Sequence, residues 1–454
     1  MATKIIDIIP PGNHVHETSW EGIKQPAAHK RGNVVIATVL ALIGFLLILI
    51  IKSKTTTNLV EDPLIVLYTL FVTTFQLSRV GGAVMFDRSK KIIQATGISP
   101  DIPYEPMVSY VIPCKNEENG IGKTIHKCFE SDYPKDKIEV IVINDGSTDG
   151  TGRVLQEMQA LYPNLVVVTW EVNRGKRHGM YEGFKRARGE IVVQLDSDSY
   201  LDPTTFRNLI EPFRNPAIGA VCAHADPENA DQNFLTRMQA AYYFMSFRIL
   251  KAAESTFFSV FCCSGCSSAY RKSIVDPIMD EWVNETFLGL PVTWGDDRAL
   301  TNRVLKRGYL TIYTDDVQAY TICPTDFKTL FKQQVRWKKG WFVNSLMASK
   351  FIMKSNPFVA LTYFFPLIAV TILAPFMATR ALIYNPIVYH TLPIYYCAGM
   401  LLVAFVIVVY YRYVSKENKY WPYLFVWGML NMLILSFVLF YALATIQNRR
   451  WGTR

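Results

Sequence analysis

Two aspartates directly follow a short apolar run at residues 191–199, whose sequence is Ile-Val-Val-Gln-Leu-Asp-Ser-Asp-Ser. The β-branched run is typical of a buried parallel strand, and ligands of open α/β sheets bind just beyond the carboxyl ends of such strands. Asp196 and Asp198 are two positions apart, so both side chains lie on the same side of an extended chain. Paired carboxylates suit Mg²⁺ or Mn²⁺ bridged to a phosphate, although a solvated acidic turn explains the tripeptide when it is taken alone.

Two segments that precede this strand carry groups suited to a nucleotide. Asp145 ends an earlier apolar run, before Gly-Ser, where a turn lets backbone and carboxylate meet a ribose or a base. Gly-Lys-Arg at 175–177 places Lys176 and Arg177 in a loop that a glycine begins, which suits a diphosphate. Considered singly, each segment has a plainer explanation, an ordinary turn for the first and a solvated basic loop for the second.

Two segments that follow the strand supply a base and a platform for a sugar. Asp296 and Asp297 begin a helical stretch, and one of these carboxylates can act as a general base toward a hydroxyl. Gln333, Arg336 and Trp337 place a cation for phosphate beside an indole face that can stack on a sugar ring. Helix N-terminal carboxylates and an interfacial Trp-Arg pair are the plainer explanations. Together and in this order, the five segments fit glycosyl transfer from a nucleotide-diphospho-sugar.

Alternating apolar runs and helical patterns position these groups. Strands are predicted at 108–113, 138–143 and 165–170 and at the run before Asp196, with helices at 121–129, 151–161 and 178–187 between them. This alternation predicts a parallel sheet with crossover helices, which is an α/β fold. The segment 257–263 is a further strand candidate.

The composition indicates a membrane protein rather than a purely soluble one. Of 454 residues, 50% are hydrophobic and 19% are charged, and the net charge is +9. Many Lys and Arg residues flank apolar segments, which indicates the positive-inside bias of membrane proteins and no nucleic-acid partner. The eight cysteines include no zinc-like set, since Cys263 and Cys266 lack a second pair, so they are predicted to be reduced cytosolic thiols.

The apolar stretches predict how the chain is divided. Transmembrane helices are expected at 34–51 and 64–86, and further apolar stretches lie at 357–375, 392–410 and 423–444. The basic flank after 444 places the C-terminus inside, so we expect 423–444 to be re-entrant or to lie along the interface. The expected domains are a flexible cytosolic tail (1–33), two transmembrane helices (34–86), a cytosolic catalytic domain (103–324), amphipathic interface helices (325–354), C-terminal membrane helices (355–446) and a terminal segment (447–454).

Longer motifs carry a family resemblance. The chain resembles the processive family-2 glycosyltransferases that have a GT-A catalytic domain, and among them it is most similar to the hyaluronan synthases. The Gln-x-x-Arg-Trp pattern at 333–337 is typical of the processive branch. The other shared stretches are GKR at 175–177, DSDS at 196–199, NADQNFLTR at 229–237, GDDRALTNRVLKRGY at 295–309 and WGTR at 451–454.

The resemblance implies an α/β GT-A (Rossmann-like) cytosolic domain inserted between transmembrane helices, and it implies a role for each motif. The metal, Mn²⁺ or Mg²⁺, would be held by Asp198, and Asp297 would be the general base. Acceptor-binding roles fall on Trp337, Cys266 and Asp296. The residues implied to bind the nucleotide are Asp145, Lys176, Arg177, Asp196, Gln333, Arg336 and, in a gating segment, Trp451 and Arg454.

The implied activity is inverting, processive polymerisation of UDP-activated sugars, UDP-GlcNAc and UDP-GlcA, with export of the polysaccharide across the plasma membrane. The implied partners are UDP-sugar donors, a growing polysaccharide acceptor and the lipid bilayer. Two departures from hyaluronan synthases touch the acceptor side: Ser-Gly-Cys-Ser-Ser at 264–268 replaces Ser-Gly-Pro-Leu, and Lys-Lys-Gly-Trp follows at 338–341. A chitin or chitin-oligosaccharide synthase using UDP-GlcNAc alone, a non-processive transferase making lipid-linked glycans and an inactive scaffold are the alternatives.

Overall fold

A mixed sheet between residues 108 and 321 organises the central part of the chain. The computed structural model describes residues 63–95, 103–390, 392, 394–415 and 418–448. The strand order is β3-β2-β1-β4-β7-β6-β10-β5, with a separate β8-β9 hairpin. The strands are β1 Val108–Cys114, β2 Ile138–Asp145, β3 Leu165–Trp170, β4 Ile191–Gln194, β5 Tyr200–Leu201, β6 Ile218–Pro227, β7 Ser268–Arg271, β8 Thr286–Phe287, β9 Leu290–Pro291 and β10 Leu310–Thr321.

Helices cover both faces of this sheet and continue into the apolar C-terminal part. Short 3₁₀ and π-helical segments join several of them, as at Ser246–Lys251 and Ala360–Phe364. The α-helices are α1 Pro63–Ala95, α2 Ile121–Glu130, α3 Thr151–Leu161, α4 Lys176–Arg186, α5 Arg207–Ile210, α6 Phe234–Met245, α7 Ala252–Thr256, α8 Lys272–Val275, α9 Met279–Val283, α10 Asp296–Lys306, α11 Phe327–Ser349, α12 Ile352–Ser355, α13 Pro357–Val359, α14 Phe365–Thr379, α15 Asn385–Tyr389, α16 Ile394–Val414, α17 Tyr423–Leu430 and α18 Val438–Ala444.

The predicted parallel α/β arrangement is confirmed. β1 pairs in parallel with β2 and with β4, and β2 pairs in parallel with β3. Every residue of β1 and β2 is buried, which is why most residues of these strands are apolar. The helices between them are amphipathic, as in α2, where Ile121, Ile125 and Cys128 are buried at helical spacing. β7 is antiparallel to both β4 and β6 and joins the two parallel halves of the sheet.

The strand predicted at 257–263 is wrong. This segment makes one isolated bridge, Ser259 to Thr311, and otherwise forms a loop. Side chains take the backbone groups that a neighbouring strand would need, because Lys251 Nζ donates to the Cys262 carbonyl and the Phe261 amide donates to Glu254 Oε2 at 3.1 Å. Such side-chain bonds compete with a sheet ladder and leave no trace in an apolar pattern.

Two helical segments among the described residues are long and apolar enough to cross a membrane, Pro357–Tyr389 and Tyr423–Ala444. α1 covers the stretch predicted at 64–86, and it also carries Arg79 and a charged C-terminal part. The chain divides into two compact units, and α16, which covers most of 392–410, belongs to the smaller one. The tail at 1–33, the helix expected at 34–51 and the segment 449–454 lie outside the described residues.

The last apolar segment, 423–444, packs against helices α6 and α11. Trp427 of α17 stacks on Tyr242 of α6 with 4.3 Å between ring centroids. Tyr441 of α18 meets Phe331 of α11 at 5.7 Å. A buried cluster that includes Leu330, Trp427, Leu435 and Val438 fills the space between these helices.

Substitution of Gly183 by alanine should destabilise the domain, because a Cβ on this face of α4 would overlap Cγ1 of Val111 in β1. Overpacking of this kind costs about 1–3 kcal/mol. We expect a lower midpoint of denaturant unfolding for Gly183→Ala in detergent and partial recovery when Val111→Ala is added. Gly428→Ala is the matched control, because its Cβ meets nothing within 4 Å. Equal midpoints for Gly183→Ala and the unmodified chain would contradict this packing.

Candidate active site

The loop that begins α4 is shaped by Asp145 at the end of β2. The backbone amides of Arg174 and Gly175 donate to its two carboxylate oxygens, at 2.6 and 2.8 Å. Gly175 has a φ of +95°, a conformation that favours glycine, and the helix starts at the next residue. Asp145 is buried, so the structure places it beneath the loop, with both oxygens holding the backbone that presents Lys176.

Lys176 forms an ion pair with Asp196, which follows β4. Burial opposes the charged ammonium, but the Asp196 carboxylate outweighs burial and raises the pKa of Lys176. Gly265 lies directly over this pair: a Cβ there would stand 3.1 Å from Asp196 Oδ1 and 3.3 Å from Lys176 Nζ. The loop 262–266 therefore passes across the carboxyl end of β4 at the place where the sequence predicted a ligand.

The donor set for a cation at this edge consists of carboxylates at Asp196 and Asp198. Ser199 Oγ donates to Asp198 Oδ1 at 3.2 Å. Within the described ranges, no group of three or more His, Cys, Asp and Glu side chains is arranged to hold a metal ion. Since Asp196 is paired with Lys176, this set fits a hard cation that completes its shell with water and substrate phosphate, as Mg²⁺ commonly does.

Arg177 points into the protein, away from Lys176. Its Nε donates to Asp296 Oδ1 at 2.6 Å, and its Nη1 donates to Glu285 Oε2 at 2.8 Å and to the Trp282 carbonyl at 3.2 Å. The Arg177 side chain is only 4% exposed. Although burial disfavours the cation, Asp296 and Glu285 raise the pKa of Arg177. Arg177 was expected to bind the diphosphate and Asp296 the acceptor. In the structure these two side chains bind each other instead.

Asp297 points to a different side of α10 from its neighbour Asp296. Successive residues of a helix point about 100° apart, so the Arg177 bond that turns Asp296 inward leaves Asp297 on another side. Its Oδ2 accepts from the Gly265 amide at 3.3 Å and from the Cys262 thiol at 3.6 Å. Burial and the nearby Asp297 raise the pKa of Cys262 to about 12, so this thiol is protonated and can donate. Asp297 thus reaches the loop that covers Lys176 and Asp196.

Helix α11 enters the site through a contact between two glycines. A Cβ on Gly340 would lie 2.8 Å from Cα of Gly295, and Gly295 has a φ of +73°. Asn344 Nδ2 donates to the carbonyls of both glycines, at 3.3 Å for Gly295 and 2.9 Å for Gly340. This close approach holds α11 against the residue that precedes the two aspartates.

One turn before Gly340, α11 carries the predicted phosphate and sugar ligands. Burial lowers the pKa of Arg336, while the carboxylates of Asp196, Asp296 and Asp297 oppose that shift, so Arg336 lies in the field of all three. Trp337 is partly buried against the main core. Gln333 Oε1 is buried without a hydrogen-bond partner in the described part of the chain.

The structure thus brings most of the predicted residues to one sheet edge. The exceptions are Arg177 and Asp296, which bind each other inside the domain. Cys266 is buried within the covering loop, where burial and then Asp196 raise the pKa of its thiol. Trp451 and Arg454 lie outside the described residues. The sequence prediction missed Trp282 and Glu285, which hold Arg177 from more than 100 positions away (|i−j| of 105 and 108), and no local pattern marks them.

Comparisons with known proteins agree with this architecture. Residues 109–278 match the family model described as Glycosyl transferase family 2. The chain is 31% identical over 360 residues to a hyaluronan synthase of Streptococcus pyogenes serotype M1, which covers 78% of this chain and 84% of that protein. It is 28% identical over 387 residues to an N-acetylglucosaminyltransferase of Azorhizobium caulinodans, which covers 82% and 93%.

A solved structure shares the fold. The mannosyltransferase PcManGT from Pyrobaculum calidifontis, in complex with GDP-Man and Mn²⁺, aligns with a TM-score of 0.53 at 22% identity and covers 81% of this chain and 99% of its own. The chain belongs to glycosyltransferase family 2. It is a glycosyltransferase whose catalytic part has a GT-A-like fold.

The neighbouring cations Lys176 and Arg177 should respond differently to substitution by methionine. Arg177→Met leaves the buried Asp296 without its cation and leaves Glu285 only its longer contact with Arg303, which costs about 3–5 kcal/mol of unfolding free energy. Lys176→Met leaves the more exposed Asp196, so we expect little loss of stability and at least about tenfold weaker binding of a nucleoside diphosphate. Denaturant unfolding and calorimetric titration with UDP measure the two effects. An Arg177→Met variant of full stability that no longer binds UDP would make Arg177 a ligand after all.

Proposed function

We propose that the protein is a membrane-embedded, inverting, processive glycosyltransferase that polymerises UDP-GlcNAc and UDP-GlcA into a hyaluronan-like polysaccharide and exports it. The observation that carries the transfer chemistry is the placement of Asp297, which contacts the loop lying over Lys176 and Asp196. The choice of sugars is supported by the 31% identity to a hyaluronan synthase over 84% of that protein.

In this mechanism, Asp297 takes the proton of an acceptor hydroxyl. The hydroxyl oxygen then bonds to the anomeric carbon from the face opposite the diphosphate, and the bond between that carbon and the phosphate oxygen breaks. Lys176 and Arg336 offset the negative charge that grows on the departing UDP. Positioning of donor and acceptor at one sheet edge supplies a further part of the rate.

We assign the divalent cation, Mn²⁺ or Mg²⁺, to Asp198, with Asp196 directed toward the nucleotide. Such a cation would withdraw charge from the leaving diphosphate and take its other ligands from phosphate and water. The two carboxylates that follow β4 support this assignment, because carboxylate oxygens are ligands that such cations prefer.

The other site residues have supporting roles in the proposal. Asp145 orders the loop that binds the nucleotide, and Gln333, with the terminal Trp451 and Arg454, completes the nucleotide site. Trp337 and Cys266 contact the acceptor. Arg177 and Asp296 are positioning residues, because their mutual bond is buried and orients the helices that begin at Lys176 and at Asp296.

We further propose a multi-pass protein of the plasma membrane with a cytosolic catalytic domain. Pro357–Tyr389 supports this by its length and composition. For the segment 423–444 we propose a position along the membrane interface. This proposal is supported by contacts at both of its ends with the catalytic part: Lys419 pairs with Asp231 at 2.6 Å before the segment, and Lys339 donates to the Thr445 carbonyl at 2.6 Å after it.

A chitin-type synthase using UDP-GlcNAc alone is the second candidate. It is supported by the 28% identity to an N-acetylglucosaminyltransferase over 93% of that protein's length. The sequence at 264–268 adds to it, since Cys266 occupies the loop over the donor site where the hyaluronan synthase pattern has proline.

Asp297→Asn should retain UDP binding and lose transfer, since an amide cannot accept the acceptor's proton. Loss of a general base lowers the rate by about 10²–10⁴-fold. UDP release and UDP titration measure the two properties. Glu157→Gln is the control, because Glu157 is exposed on α3 and pairs only with Arg153 in the described part of the chain. Undiminished polymer from Asp297→Asn would rule out this assignment of the base.

The donor requirement separates the two candidate functions. Membranes containing the protein would be supplied with radiolabelled UDP-GlcNAc, with UDP-GlcA, and with both. The hyaluronan proposal predicts polymer only from the mixture, and hyaluronidase should degrade that polymer. Polymer made from UDP-GlcNAc alone and degraded by chitinase would establish the second candidate. Asp297→Asn membranes supply the background.

A further inference from the structure

Lys251 and Glu254 hold a loop that lies beside the catalytic site. Lys251 Nζ donates to the Cys262 carbonyl and, at 3.0 Å, to Ser264 Oγ. The Phe261 amide donates to Glu254 Oε2 at 3.1 Å. Lys251 and Glu254 belong to one continuous helical stretch and are three positions apart, a spacing at which side chains are neighbours on a helix surface. Together these two side chains form a clamp that fixes three residues of the loop.

Little water reaches this clamp, and it is tied to an apolar helical segment. Lys251 is buried. The second oxygen of Glu254, Oε1, accepts from the Tyr363 hydroxyl at 2.8 Å, and Tyr363 lies in the segment Pro357–Tyr389. Burial raises the pKa of Glu254, although Lys251 and Arg298 oppose that shift. A buried polar group that loses its partner is costly, so the clamp resists displacement of the loop.

The clamped loop, 261–265, supplies the hydrogen bonds that reach Asp297 from outside its own helix. Oδ2 of Asp297 accepts from the Gly265 amide at 3.3 Å and from the Cys262 thiol at 3.6 Å. Oδ1 accepts from the Arg298 amide of α10 at 2.7 Å. In the part of the chain that the structure describes, no other element donates a hydrogen bond to this carboxylate. Cys262 therefore offers its carbonyl to the clamp and its thiol to Asp297.

We propose that Lys251 and Glu254 are positioning residues, which orient the Asp297 carboxylate toward the acceptor hydroxyl by fixing the loop 261–265. A base that is rotated away from the hydroxyl accepts its proton slowly, although the donor can still bind. Loss of the clamp therefore lowers kcat more than it raises the KM for the donor. This inference rests on the proposed function, in which Asp297 takes the proton of the acceptor.

Lys251→Met tests the clamp, with Lys251→Arg as the variant that keeps a cationic donor. Lys185→Met is the matched control, since Lys185 is an exposed lysine of α4. In Lys251→Met we expect kcat for UDP release to fall at least about tenfold, while the affinity for UDP in calorimetric titration changes less than about twofold. Hydrogen exchange should quicken in peptides covering 257–266 but not in those covering 138–145. Lys251→Arg should recover part of the kcat, and Lys185→Met should match the unmodified protein.

Substitutions at Cys262 test the last link between the clamp and the base. Cys262→Ala removes the thiol donor and should lower kcat about fivefold, whereas Cys262→Ser keeps a donor and should retain the kcat of the unmodified protein. Because Cys262 is only partly buried, both variants should fold, and they decide the outcome if Lys251→Met does not. Equal kcat values for Cys262→Ala, Cys262→Ser and the unmodified protein would overturn the inference.

A double variant with Asp297→Asn separates positioning from general packing. If Lys251 acts through Asp297, adding Lys251→Met to Asp297→Asn lowers the residual rate of UDP release no further, and losses that multiply would overturn the inference. Full activity of Asp297→Asn would contradict the proposed base and the positioning role with it. An inactive Asp297→Asn beside a fully active Lys251→Met would overturn the inference alone.

Discussion

The buried ion pair between Arg177 and Asp296 is the interaction on which the rest of the site depends. Charges removed from water cost several kcal/mol each unless they are paired and hydrogen-bonded. Arg177 binds both Asp296 and Glu285, and Glu285 also meets Arg303, so turning either carboxylate outward would leave buried cations with too little negative charge around them. The pair therefore locks the first residue of α10 to the second residue of α4. As a result, Lys176 and Asp297 lie on either side of the same loop. Of the two adjacent aspartates, Asp296 holds two helices together, and Asp297 is free to take the role of base that we propose.

Glycines determine how closely the remaining pieces approach. A Cβ on Gly265 would lie within 3.3 Å of both Lys176 and Asp196, and Gly295 closely approaches Gly340. A side chain at any of these positions would push the covering loop or α11 outward and separate charges that act together. Because Coulomb interactions weaken with distance, such displacements would weaken the attraction between Arg336 and the carboxylates of Asp196, Asp296 and Asp297. Close approaches at these glycines therefore determine the distances between the charged side chains of the site.

The sequence predicts the elements better than it predicts their mutual contacts. The strands of the parallel half follow from mostly apolar runs, and Asp145, Lys176 and Asp196 could be placed at one sheet edge because each comes at or after the carboxyl end of a strand. The partners of Arg177 could not be predicted, since Glu285 lies far along the chain in a short segment without a motif. The loop at 257–263 was mistaken for a strand because Lys251 and Glu254 satisfy its backbone, an interaction that has no periodicity.

The C-terminal segment shows how an apolar stretch can be long enough to cross a bilayer and still belong to a catalytic surface. Tyr423–Ala444 contains 22 residues, and α11 contains 23, so both are about 33–35 Å long. The C-terminal end of the segment meets α11, where Phe331 contacts Tyr441 and Lys339 contacts Thr445, and its first helix, α17, packs on α6. A helix that crossed the bilayer would carry one end away from the catalytic part, whereas both ends of this segment contact that part. These contacts support the proposed position along the interface.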